Sequence, residues 1–161
     1  MNSAAITTPD GIFTASFTDR GLARLEFPST APNPAAVTGV LSADKRAWLK
    51  TTTSAVLAIL KGRAPTEYPP LDVSTGTEFQ QQVWETLCRI GPGQTLGYGE
   101  IARTLGKPRA SRAIGQACGA NPIPLLIPCH RVLAANGKIG GFSGGLDWKR
   151  RLLDREGVTT A

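Results

Sequence analysis

The chain is poor in the side chains that bind metals, and it lacks any run long enough to cross a membrane. Histidine occurs once, at His130, and cysteine three times, at Cys88, Cys118 and Cys129, so residues 1 to 87 hold neither. That half therefore cannot build a zinc site of the Cys/His type, and a structural metal is not expected. Three cysteines with no paired spacing form no disulfide framework, which points to a reducing compartment. No stretch approaches ~18 consecutive apolar residues, the minimum for a membrane span. The opening MNSAAITTPDG lacks a charged segment followed by an apolar one, so a secretory signal is not expected and the location expected is cytoplasmic.

Acidic residues are also in short supply, with 12 Asp and Glu against 18 Lys and Arg, for a net charge of +6. The imbalance is uneven: residues 1 to 76 carry seven basic and six acidic side chains, whereas residues 77 to 161 carry eleven and six. A basic face on the second half either draws polyanions, of which DNA and RNA are the usual ones, or only keeps the protein in solution. Hydrophobic content of 41% with 19% charged residues fits a folded chain, large enough for one domain or two small ones.

What is present divides at about residue 77. IFTASF and LARLEF alternate on either side of TDRG and predict a β-hairpin. A Pro/Ala/Gly loop covers about residues 28 to 40, and a helix starts near Ser42, carries Trp48, Val56, Ile59 and Leu60, and ends at Gly62. RAPTEYPPLDVSTG is too rich in Pro and Gly for a long element and is the candidate linker. Thr77 and Gln80 then stand at capping-box spacing before a stripe of Phe79, Val83, Leu87 and Ile90, with GPG as the stop. YGEIARTLG predicts a short amphipathic helix. KPRASRAIGQACGAN predicts another, built of small residues, with Pro108 near its start and Gly119 as its stop. Such a pair in a basic region is either a DNA-binding helix-turn-helix or an ordinary helical hairpin. Asn136-Gly137 signals a tight turn, and LDWKRRLLDREG a final basic amphipathic helix.

The one chemical candidate is Cys129, followed directly by His130. A thiol reacts as thiolate and needs a base or a positive environment, and His130 is the only imidazole available. Adjacency is an awkward geometry for that pairing, because successive side chains of an extended segment point to opposite faces; a bend or a bridging water is required. Taken alone, Cys129 is either a nucleophile or a small buried residue. A cysteine hydrolase would need an aligned Cys, His and Asn or Asp and a deacylating water. A single transfer to sulfur asks less.

The run GQACGANPIPLLIPCHRVLAANGKIGGFSGGLDWKRRLLDREG, with YGEIARTLGKPRASRAIG before it, closely resembles the O6-alkylguanine-DNA alkyltransferases over residues 77 to 157. Its Pro-Cys-His-Arg-Val core is the most specific part. TDRGLARLEF is similar to the N-terminal hairpin of the bacterial members. The resemblance implies an α/β N-terminal domain with a small ribonuclease H-like sheet over residues 1 to 76. It also implies a mainly α C-terminal domain over residues 77 to 161, with a winged-helix-like helix-turn-helix. It further implies repair of O6-alkylguanine in double-stranded DNA, with O4-alkylthymine as a second candidate, by irreversible transfer to Cys129. A monomer without a cofactor follows.

Roles carry over residue by residue. The damaged nucleotide must leave the base stack, and Arg112 matches the arginine that fills the gap it leaves. Ala113, Gly115 and Ala117 would allow close approach to a narrow groove, and Gln116 belongs to the same DNA-facing helix. Tyr98 matches the tyrosine that donates to the ring N3, and Ser143 the serine near O6. Backbone groups of Cys129 and Val132 would read the guanine amino edge, and Pro124 and Phe142 would line the alkyl pocket. Glu156 would orient His130, which a water links to Cys129, while Asn121 braces the segment. Phe142 stands where some members have tyrosine, and Cys118 is assigned to packing. A lesion-binding protein of the alkyltransferase-like type shares the scaffold but lacks the acceptor cysteine.

Overall fold

The computed structural model describes residues 1–29, 39–142 and 144–161. Its first half is built on a three-stranded antiparallel sheet, in the order β1 (Asn2–Thr8), β2 (Gly11–Phe17) and β3 (Leu22–Glu26). The expected hairpin is β2–β3. The strand before it was not anticipated, because its inward positions Ala4, Ile6 and Thr8 include only one strongly apolar side chain. Register, rather than hydrophobicity, holds it: Asn2 to Thr8 pair with Phe17 to Gly11.

Helix α1 (Ala43–Leu60) begins at Ser42, whose hydroxyl accepts from the Lys45 amide, and buries Val56, Ile59 and Leu60 against the sheet. Part of the expected loop at about residues 28 to 40 lies outside the described residues. The Pro-rich stretch that follows is a crossing segment, tied to β3 by bonds from Leu22 N to Pro70 O and from Asp72 N to Leu22 O.

The capping box forms as the spacing required: the Thr77 hydroxyl accepts from the Gln80 amide, and the Gln80 side chain from the Thr77 amide. Helix α2 (Glu78–Leu87) ends before GPG, where amides of Arg89 and Ile90 bond back three residues and tighten the chain. Helix α3 (Tyr98–Thr104) and helix α4 (Ser111–Gly119) pack together as the predicted pair. Pro108 lies in the turn between them rather than at the start of α4. Leu96–Gly97 (β4) pairs in parallel with Val132–Leu133 (β5). Asn136 and Gly137 both have positive φ, as a tight reversal demands, and helix α5 (Leu146–Arg155) closes the fold.

Buried apolar side chains of both halves form one cluster, running from Phe13 and Val56 to Leu87, Ile114 and Trp148. Polar links join the halves as well. Arg155 at the end of α5 donates to both carboxylate oxygens of Asp10, at 2.9 and 2.6 Å, and to Leu60 O. The Leu25 amide donates to Pro122 O at 2.9 Å.

Candidate active site

Cys129 is positioned by an asparagine. Asn121, two residues past α4, donates through Nδ2 to Ile127 O at 2.8 Å and accepts through Oδ1 from the Ile123 amide at 2.9 Å. Both ends of the buried segment 123–127 are thus held by one side chain. Within it Leu125 has φ +72, a left-handed conformation that a leucine adopts only when its surroundings enforce it. The Cys129 amide then bonds to Ile127 O, and residues Cys129–Arg131 form a single 3-10 turn. The segment is therefore bent, one of the two geometries that the Cys129–His130 adjacency left open.

In that bend His130 is wholly buried, and its Nε2 lies 3.0 Å from Glu156 Oε1. The same carboxylate accepts from Arg131 Nε and Nη2 and from the Gly93 amide. Arg131 Nη1 donates to Ile90 O at 2.6 Å, anchoring the network to the end of α2. Burial pushes the Glu156 carboxyl up, but hydrogen bonds from His130 and Arg131 outweigh it and hold it at about 2. An ionised carboxylate can only accept, so Nε2 carries the proton and the neutral ring keeps Nδ1 as an acceptor. Burial also holds the His130 pKa below its ordinary value, against the opposing pull of Glu156. His130 Nδ1 is buried and has no protein partner among the described residues.

A cavity of about 1090 Å³ opens over Cys129, lined by Tyr98, Arg112, Gly115, Cys118 and Phe142 among others. Tyr98, the first residue of α3, packs closely against Gly140, where a Cβ would stand 3.3 Å from its hydroxyl oxygen, whereas a Cβ on Gly115 would meet its ring at an ordinary 3.9 Å. Arg112 and Gln116 are exposed on α4 at the cavity mouth, while Ala113 is half-buried and outside the lining. Pro124 faces a separate cavity of about 520 Å³ between β3 and the segment 119–124. Val132 is fully buried, and one of the two lone pairs of its carbonyl oxygen is taken by a side chain. Ser143 lies outside the described residues.

The group occupying that carbonyl is one the sequence reading did not single out. Lys149 is fully buried and donates through Nζ to Val132 O at 2.7 Å and to Gly141 O at 3.0 Å. Burial lowers its pKa to about 8, partly offset by the thiols of Cys129 and Cys118. Its signal was positional: Trp148, Lys149, Leu152 and Leu153 form the buried face of α5. A basic letter among basic letters concealed that. Burial likewise raises the Cys129 thiol to about 11, opposed by the Asn121 side chain and the Lys149 charge. Cys118 is pushed up to about 12 by burial and by Cys129. Both thiols are protonated at neutral pH, so nucleophilic attack by Cys129 requires a base. Among the described residues, no group of three His, Cys, Asp or Glu could hold a metal ion.

These features define a class: a small α/β protein with a buried cysteine at the floor of a cavity beneath two packed helices, followed in the chain by a histidine that a buried glutamate holds. The chain belongs to the 6-O-methylguanine DNA methyltransferase family, whose DNA-binding-domain model matches residues 78–158. It is 55% identical over 82 residues to a methylated-DNA--protein-cysteine methyltransferase of Methanosarcina acetivorans, covering 51% of this chain and 53% of that one. A namesake from Mycobacterium bovis is 53% identical over 81 residues, covering 50% and 49%. The match thus spans about half the length of these curated relatives. The likeness in structure reaches further. The crystal structure of Mycobacterium tuberculosis OGT in complex with DNA superposes with a TM-score of 0.76 and 35% identity, over 97% of this chain and 92% of that one.

Proposed function

We propose that this protein reverses alkylation damage in DNA by moving the alkyl group of O6-alkylguanine, and of O4-alkylthymine as a second substrate, onto Cys129. The observation that carries this reading is the buried Cys129 thiol at the floor of the cavity, with His130 beside it and Glu156 behind. Extrusion of the damaged nucleotide, with Arg112 filling its space, would bring the alkyl carbon to sulfur. As the S–C bond forms and the C–O6 bond breaks, the electron pair moves to the guanine. The thiol proton passes through a water to His130 Nδ1, whose ring Glu156 keeps in the right tautomer. Tyr98 donates to the ring N3 as charge develops there. The thioether product is inert, so each molecule reacts once and no cofactor is needed. The relatives' names, the family match and the DNA-bound neighbour support this reading. In the same reading residues 1 to 76 form the ribonuclease H-like domain and residues 77 to 161 the winged-helix-like one, acting as a monomer.

Duplex DNA carrying methyl-labelled O6-methylguanine tests it. One label per protein on the Cys129 peptide is expected, and none with Cys129→Ala. Binding without label would instead make the protein a lesion-recognition module, and release of product beyond one equivalent would make it a hydrolase.

A further inference from the structure

Phe142 lines the cavity that holds Cys129, and its ring does not stand alone. Phe27, the residue after β3, meets it edge-on with centroids 5.7 Å apart and planes at 75°. Behind Phe27 lie Trp148 at 5.1 Å and Phe13 at 5.6 Å, and these two also touch, with centroids 5.6 Å apart. The cavity wall is thus the outermost ring of an aromatic stack rooted in the N-terminal sheet. Gly144 shows how close the approach is: a Cβ there would stand 2.6 Å from Phe27 Cε2 and 2.8 Å from Phe142 Cε2. The end of β3 is itself fixed, by the Leu25 bond to Pro122 O and by Pro28, which lies against Gly11 where a Cβ would come within 2.8 Å.

We infer that Phe27 is a positioning residue for the alkyl subsite, through which the N-terminal sheet holds Phe142 as a flat wall and so favours substituents large enough to lie against it. This inference rests on the transfer reaction proposed above. Edge-to-face aromatic contacts are directional, so Phe142 without Phe27 loses the partner that fixes its plane. A methyl group is too small to use the wall, whereas a benzyl group is not. Loss of Phe27 should therefore alter discrimination between alkyl groups more than the transfer itself.

The test compares first-order transfer of methyl and of benzyl from O6 of guanine in one oligonucleotide sequence. Phe27→Leu should lower the benzyl-to-methyl rate ratio roughly three- to tenfold, with methyl transfer within about twofold of the parent. Gly144→Ala, which pushes the two rings apart from the other side, should move the ratio in the same direction. Phe27→Tyr should restore it. If Phe27→Leu does not fold, Gly144→Ala decides alone. An unchanged ratio in a folded variant, or equal loss of both rates, overturns the positioning role. Failure of the parent protein to transfer either group overturns the proposed function instead.

Discussion

Glu156 and His130 are joined by one hydrogen bond of 3.0 Å, with both side chains sealed from solvent. Because the carboxylate is ionised, the bond fixes the imidazole tautomer and leaves Nδ1 as a buried acceptor. The pair therefore makes the fold sensitive to acid in a defined way. Both pKa values are lower in the folded chain than in the unfolded one, so the unfolded state binds more protons and stability falls as pH falls. The loss begins below about 6.5, where an unfolded histidine is protonated and His130 is not. It deepens from about 4.5 to about 2, the ordinary and folded values for Glu156. Urea midpoints measured from pH 8 to pH 3 should show both segments in the parent, and Glu156→Gln should flatten the lower one. A parallel decline in that variant would mean other carboxylates dominate.

Lys149 places a positive charge near a thiol that burial makes reluctant to ionise. Lys149→Met should slow methyl transfer and iodoacetamide labelling of Cys129 by about tenfold, the effect of a one-unit rise in thiol pKa. The same lysine titrates at about 8 when folded and 10.5 when not, so it adds stability as pH rises between those values and takes it away as pH falls through about 8. The methionine variant should lose that rise. Unaltered thiol reactivity would detach Lys149 from the chemistry.

Arg112 stands exposed at the mouth of the cavity, and the proposed function gives it the space of a nucleotide extruded from a duplex. Arg112→Ala should reduce repair of duplex O6-methylguanine far more than reaction with free O6-benzylguanine, because only the duplex pays the cost of flipping. Equal reductions in both assays would assign the residue to the fold.

Gly140 and Gly106 share a φ of +69 but differ in surroundings: a Cβ on Gly140 crowds the Tyr98 hydroxyl, whereas one on Gly106 meets nothing within 4 Å. Alanine at either position should cost about 1 kcal/mol of stability from backbone strain. Only Gly140→Ala should also slow transfer, by displacing Tyr98. Thermal melts with transfer rates separate the two effects, and equal rates in both variants would remove Tyr98 from the proton-donor role.

Much of the local structure was legible in the letters. The capping box at Thr77 and Gln80, the start of α1 at Ser42 and the reversal at Asn136-Gly137 depend on neighbours a few residues apart, and short-range stereochemistry decides them. Strand β1 was not legible, since Ser, Ala and Thr carry almost no burial signal and only pairing with β2 makes them a strand. The bend at Cys129 was one of two geometries that the Cys129–His130 adjacency left open, and the letters could not choose it, because it depends on Asn121 folding the apolar run before it into a closed, strained segment.

By itself the sequence determined that one cysteine stands beside the only histidine, in a motif specific enough to resemble one family, and that the basic excess lies in the same half. Those are matters of composition and order. Tertiary structure alone decided which charges are buried and what they touch. It brought Glu156 to His130 and Arg131, turned Lys149 inward onto Val132 O, gave Pro124 a different cavity from Cys129, and set Phe27 of the N-terminal sheet behind Phe142. Each of these depends on helices and strands far apart in the chain sharing one core, and a charge or a ring has no assigned partner until that core closes around it.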